Sequence, residues 1–441
     1  MRLALLTTNL AIATILFDQT AVTTILPEIS DSLGVPTAQS VLLVNAYQVT
    51  MACGLVPLAA LGQRIGFRKV YLAGLVVQIL ATLMAVTVEG FEALLIARLL
   101  QGFAGSMVVS VNLPLIRAIV PPERFGMALG LNGTVIAASA AAGPLFAGLI
   151  VSQLPWQWVF LLTLPLSLFG LAVGLRNLPP NTLSQRPFDL LSALLGALGF
   201  GGLILAFALA GQGQPPVLTL PLAIAALIAL AGLIRHERSS PEPSFALDLV
   251  RGSRVFAWAI LNTFAAFIGQ MLLMVSTPVL LKEVMIFPPL EAGLLLAVWP
   301  CAMAISGPLS GTAADRVNPQ LIVAGGLLMT TFGLAGLAMM PMNVTMIDVA
   351  WRIALCGFGF GMYQIPNNRT LMNEAPPLRS SGAASMLGVS RMLGQAVGAT
   401  MAAWSIVSGH IMAGLWLGAV ITALAVVPAL LNARRLAARR A

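Results

Sequence analysis

Asp18 stands inside the apolar run "LFDQTAVTTILPEI" (16–29), about 24 Å along a helix from Arg2 at ~1.5 Å per residue. A carboxylate at that depth costs several kcal/mol unless it is paired, protonated or hydrated. Desolvation favours its protonated form and a nearby cation favours its charged form, so a group poised between the two can take up and release protons. The alternative is structural: an aspartate held by a buried arginine or capping a break in a helix. It is the only acid deep in an apolar run, because every other Asp or Glu falls at a run end or in a loop. Three arginines, Arg98, Arg352 and Arg391, also fall within apolar runs. Such a guanidinium can lock helices by bonding carbonyls and glutamines, or it can tune a neighbouring carboxyl.

Other chemistries are poorly served. His236 and His410 are far apart, and Cys53, Cys301 and Cys356 all lie in apolar runs, so neither a metal site nor a disulfide framework is expected. No nucleophile constellation and no "GxxxxGK[ST]" phosphate loop is present, so no enzyme activity, ATP drive or cofactor is expected. The formal charge of +8 does not imply nucleic acid, because the cations are dealt out singly and in pairs between apolar runs.

These residues must be positioned by membrane helices. The 441 residues are 59% hydrophobic and only 9% charged, against about 25% charged in soluble chains. Breaking the chain at charges, prolines and glycines leaves fourteen apolar runs near the ~20 residues a span needs. They are 3–27, 39–62, 70–88, 91–116, 125–151, 157–176, 190–211, 217–235, 254–281, 291–314, 320–341, 346–368, 380–408 and 410–432. The first is long enough to span and lacks a small-residue cleavage site, so it reads as a span, not a leader. With both termini in the cytoplasm, 19 of the 20 loop and tail cations lie inside and only Lys282 lies outside. The 21 arginines against two lysines, with heavy Ala, Gly and Leu usage, suggest a GC-rich bacterial genome.

An internal repeat relates the ends of the chain. "GQRIG" (62–66) pairs with "ADRVN" (314–318), "IARLL" (96–100) with "AWRIAL" (350–355), and "PPERFGMA" (121–128) with "PPLRSSGAA" (376–384). The offsets stay between 252 and 256, as expected of two six-helix halves. The division follows: 1–188 as the first half, 189–253 as two linker helices with a loop, and 254–441 as the second half.

The motifs resemble the drug:proton antiporter branch, with fourteen helices, of the major facilitator superfamily. "FDQTAVTTILPEIS" is similar to the branch's Asp-containing first helix, and "ARLLQGFAGS" to its arginine motif on helix 4. "GTVIAASAAAGPLFAG" resembles the Gly-Pro antiporter motif on helix 5, "WQWVFLLTLP" the signature entering helix 6, and "LGQRIGFRK" the loop between helices 2 and 3. The resemblance implies an all-α integral membrane fold and a multi-pass protein of the bacterial inner membrane. It implies a functional monomer exchanging protons for hydrophobic or cationic compounds. Export or import of one endogenous metabolite is the alternative, and a non-transporting receptor is a weaker one.

By the same resemblance Asp18 and Arg98 are the candidates for proton coupling. Gln63, Arg64, Gly66, Arg68, Gly143, Pro144, Asp315 and Arg316 are the candidates for conformational gating. The loop's acid is expected to pair across the interface between the halves, yet the first copy carries Gln63 where the family carries Asp. That predicts a weaker latch in the first half, or drift at a tolerant position. Polar and aromatic residues on the spans that would line a cavity are candidates for substrate contact: Tyr47, Gln48, Asn262, Gln270, Trp299, Tyr363, Gln364 and Arg391. Asn and Gln can equally serve as glue between helices.

Overall fold

The computed structural model describes residues 2–121, 124–179, 189–238, 247–341, 344–376 and 380–438. With no water to satisfy the backbone in lipid, each apolar run forms a helix. The first half comprises α1 (Arg2–Thr24), a short α2 (Leu26–Leu33), α3 (Thr37–Ile65), α4 (Phe67–Thr87), α5 (Phe91–Ile119), α6 (Phe125–Val151), α7 (Gln157–Leu161) and α8 (Thr163–Asn177). The linker follows as α9 (Leu190–Gly196), a π segment (Ala197–Gly201), α10 (Gly202–Gly211), α11 (Pro216–Arg238) and α12 (Leu247–Gly252). The second half contains α13 (Arg254–Val279) with a terminal π segment (Leu280–Val284), α14 (Pro289–Ala313), α15 (Pro319–Ala338), α16 (Met346–Asn373), α17 (Ser380–Val407) and α18 (Ile411–Ala438).

Among the described residues these elements follow the fourteen apolar runs as fourteen helical stretches. Eleven are long and apolar enough to cross a membrane, and α3 makes twelve when its two arms are taken together. Its arms, 37–55 and 57–65, meet at 47°, where Pro57 removes a backbone donor. The remaining two, α16 and α17, reach 28 residues each but carry more polar residues, including Asp348, Arg352 and Arg369 on one and Arg391 and Gln395 on the other. Counted as twelve or fourteen, an even number of crossings puts Arg2 and Ala438 on one face, called the terminal face below. Lys282 lies at the opposite, far face.

Helices in lipid gain little from burying apolar surface against one another, so close contact depends on small residues. The two halves use the same device at equivalent places. A Cβ on Gly102 of α5 would lie 2.2 Å from the Tyr47 carbonyl of α3. One on Gly357 of α16 would lie 2.2 Å from the Trp299 carbonyl of α14. The offsets, 255 and 252, are those of the sequence repeat, so Trp299 occupies the place of Tyr47. One apolar cluster joins the halves, with Phe17, Ala21, Val22 and Leu43 packed with Ile268, Met271, Leu272 and Ala399.

Candidate functional site

The first half gathers a closed set of charges around Asp18. Arg98 Nη1 of α5 donates to Asp18 Oδ2 at 2.5 Å, and both side chains are 1% exposed. The same nitrogen donates to Gln101 Oε1 at 2.8 Å, one turn further along α5. Gln101 Nε2 in turn faces Asp18 Oδ1 and Thr82 Oγ1 of α4, each at 3.4 Å, and Arg98 Nε reaches the Leu43 carbonyl of α3 at 3.4 Å. The Tyr47 ring lies against the guanidinium, 4.5 Å from Cζ to centroid. Four helices are thus tied through one ion pair. A structural and a proton-carrying role share this geometry: the pair neutralises a deep carboxylate, and protonating Asp18 would break it while leaving Arg98 bonded to Gln101 and Leu43. Gln101 stands in the "ARLLQG" motif, yet its bridging position was not legible there.

The second half builds something different. Phe267, Phe360, Trp299 and Tyr363 form a ring cluster, with centroids 5.2 Å apart for Phe267–Phe360, 5.1 Å for Trp299–Phe360 and 5.3 Å for Phe360–Tyr363. Arg391 of α17 caps it, its Cζ 5.0 Å from the Phe267 centroid. Among the described residues no carboxylate pairs with Arg391. Of these five residues the sequence singles out Trp299, Tyr363 and the capping Arg391, whereas Phe267 and Phe360 look like ordinary span residues. Arg352, the counterpart of Arg98 in the repeat, does not enter the core. It donates to the Asp348 carbonyl at 2.5 Å and lies over the Trp351 ring.

Between these two centres, Gln48 Nε2 reaches Met271 Sδ at 3.8 Å from one half to the other. Tyr47 Oη, Gln48 Oε1, Gln270 Oε1 and both polar atoms of Asn262 are buried without a hydrogen-bond partner among the described residues. Buried polar atoms are usually paired, so orphans on α3 and α13 suit a site that accepts a polar ligand. Gln364 is half-buried on α16. Asn367, by contrast, is glue: its Nδ2 donates to the Ala259 carbonyl and to Thr263 Oγ1, both at 3.0 Å.

The halves are sealed at the far face. A Cβ on Gly143 would lie 2.0 Å from Thr20 Oγ1, so the glycine lets α6 rest on α1 within one turn of Asp18. The carbonyl of Pro144 then faces α14, where a Cβ on Gly293 would come within 2.5 Å of it. Gly148 mirrors this, its Cβ falling 2.5 Å from the Pro289 carbonyl. Beyond the glycines, Lys282 donates to Asp31 Oδ2 at 2.7 Å and pairs with Glu28 Oε1 at 3.2 Å, while Thr37 donates to Glu283 Oε1 at 2.7 Å. Burial pushes the Glu28 carboxyl above its usual range, against the pull of Lys282. The single far-face cation of the sequence is therefore a bridge between the halves.

A family model described as Major Facilitator Superfamily matches residues 8–399. The chain belongs to the major facilitator superfamily. It is 39% identical over 404 residues to the uncharacterized transporter YebQ of Escherichia coli (strain K12), covering 91% of this chain and 88% of that one. It is 29% identical over 395 residues to a Citrobacter koseri protein named for multidrug resistance, MdtD, covering 87% and 82%. The crystal structure of a POT family transporter in complex with 5-aminolevulinic acid has the same fold, with a TM-score of 0.73 at 13% identity over 98% of this chain and 96% of that one.

Within this major facilitator fold the two copies of the loop motif differ as their sequences do, but not by bridging the halves. Asp315 accepts from Arg369 Nη1 at 2.5 Å, and both residues belong to the second half. The expected pair across the interface is not the one formed: α14 packs beside α16, and Asp315 takes Arg369 of the same half. In the first copy Gln63 and Arg64 are exposed, Gly66 turns the chain with φ 113°, and Arg68 donates to the Leu175 carbonyl. Arg316 is exposed as well. Gln63→Asp should restore a family-like carboxylate beside Arg64 at this exposed position. Exposed pairs contribute ~0.2–1 kcal/mol, so transport rate should be kept or rise no more than a few-fold. Loss of transport at normal membrane levels would give Gln63 a role of its own.

Proposed function

We propose that this transporter is a proton-coupled antiporter that exports hydrophobic or cationic compounds, with Asp18 as the proton carrier. The observation that carries the reading is the Asp18–Arg98–Gln101 relay, because Asp18 is the one acid of the described residues that lies deep in a helix bundle. Proton uptake frees Arg98 from Asp18, and proton release restores the pair, so the charge in the core differs between the two halves of a cycle. The orphaned polar atoms of Tyr47, Gln48, Asn262 and Gln270, with the Trp299–Tyr363–Arg391 cluster, would receive the transported compound. Residues 1–188 and 254–441 would rock as two halves about Gly143 and Pro144, with 189–253 as the linker. Resemblance to the antiporter motifs and to a relative named for multidrug resistance supports export over uptake. Export of one endogenous metabolite is the second reading, favoured by the lone Arg391, which suits an anionic group.

The terminal face is assigned to the cytoplasm, by the distribution of 19 cations against one. Reporter fusions after residue 441 should read cytoplasmic and fusions at 286, in the α13–α14 turn, external. The reverse pattern would overturn the orientation. The function itself is tested in proteoliposomes holding the protein alone. An imposed pH gradient should drive accumulation of some members of a panel of hydrophobic cations. Accumulation independent of the gradient would overturn proton coupling.

A further inference from the structure

A cavity of about 410 Å³ lies between the linker helices and the second half. Leu230, Leu233 and Ile234 of α11 wall one side, and Ile260, Phe264 and Val389 the other; no residue of the first half lines it. Eleven of its twelve lining residues are apolar. The exception, Ser390, spends its hydroxyl on the Ile260 carbonyl at 2.9 Å. Such a wall offers water almost no hydrogen bonds. Its size falls in the ~300–1,000 Å³ range of small-molecule sites. On α13 the lining runs from Ala257 to Phe264, seven residues or about 10 Å of helix, about a third of the ~30 Å hydrocarbon core.

Its mouth is basic. Arg235 follows Ile234 in the chain, and Arg254 sits one turn before the lining residue Ala257, with Arg251 just ahead of it. All three side chains are exposed, and none forms an ion pair among the described residues. Two acids of this layer are engaged elsewhere: Asp189 with His236 at 3.1 Å and with Ser192, and Glu374 with Ser253 at 2.5 Å. The side chains of Glu237, Glu242 and Asp248 lie outside the described residues.

We propose that this is a phospholipid site: one acyl chain of an anionic lipid fills the cavity, and its phosphate lies on Arg235, Arg251 and Arg254. Hydrocarbon satisfies a wall with no free polar group, and exposed arginines next to that wall in the chain favour an anionic headgroup. Naming the leaflet as cytoplasmic rests on the orientation proposed above, whereas the chemistry of the site does not. The lipid would wedge the linker pair against α13 and α17, the elements that carry Asn262, Gln270 and Arg391.

The test uses the full chain, stripped of lipid in detergent and titrated with phosphatidylglycerol or phosphatidylcholine under native mass spectrometry. Wild type should retain one phosphatidylglycerol at least tenfold more tightly than phosphatidylcholine. Val389→Phe or Ala257→Phe, which fill the cavity from different helices, should lose that lipid while eluting as folded protein. The Arg235→Gln, Arg251→Gln, Arg254→Gln triple variant should bind both lipids alike. Equal retention of the two lipids by wild type would overturn the proposal. So would full retention by both filled variants, or displacement of the lipid one-for-one by an exported compound.

Discussion

Asp18→Asn should reach the membrane and lose accumulation against a gradient, by at least a hundredfold, while keeping downhill exchange. Asparagine preserves the shape of the side chain and can still meet Arg98 and Gln101, but it cannot exchange a proton. The variant leaves Arg98 buried without its counter-ion, and breaking a buried pair by removing one partner costs about 3–5 kcal/mol. Lower membrane abundance is therefore part of the expected result. The Asp18→Asn, Arg98→Gln double variant separates the two effects, because it removes the uncompensated charge and should recover abundance without recovering uphill transport. Asp18→Glu should keep partial activity with a shifted pH optimum, since one methylene displaces the carboxyl from the Arg98 guanidinium. Transport assays at several external pH values, normalised to protein in the membrane, provide the comparison. Asp18→Asn carrying out full uphill transport with an unchanged pH profile would reduce Asp18 to a structural partner of Arg98.

Gly148→Ala should shift the protein away from the arrangement sealed at the far face. The new methyl would stand 2.5 Å from the Pro289 carbonyl and 3.0 Å from Gly293 Cα, backbone atoms that cannot turn aside. Overpacking of this kind costs about 1–3 kcal/mol, which is roughly a five- to hundredfold change in population. Lys282→Ala should act in the same direction more weakly, because the bridge to Glu28 and Asp31 is partly exposed and each such pair contributes ~0.2–1 kcal/mol. Labelling of a cysteine introduced at Thr24, which lies in the sealed region, reads the change directly. Faster labelling is expected in both variants, with Gly148→Ala the larger effect. Unchanged labelling in Gly148→Ala would mean that this contact does not govern access from the far face.

The fold was largely legible because a membrane imposes few choices. Fourteen apolar runs near 20 residues had to become helices, and the repeat of "GQRIG" with "ADRVN" announced two related halves. Asp18 and Arg98 were legible one by one, since a charge in an apolar run is visible without a structure. Their bond to each other was not, because Asp18 lies on α1 and Arg98 on α5, and no sequence period relates them. The glycines at 148 and 293 were hidden for a different reason: the chain has 41 glycines, and only the meeting of α6 with α14 distinguishes these two. Lys282 was conspicuous as the lone far-face cation, but its partners on α2 become neighbours only when the halves close. Arg352 matches Arg98 in the repeat but is followed by "LCGFGFG" and not by Gln-Gly, and its guanidinium turns toward Asp348 and Trp351 at the helix end.

Proton movement linked to compound movement tests proton-coupled export most directly. Everted membrane vesicles containing the protein, acidified inside by respiration, should lose part of that acidity when a transported compound is added outside. The loss should scale with compound taken up and be absent with Asp18→Asn. Uptake of the compound with no accompanying change in internal pH would contradict the exchange of protons for substrate.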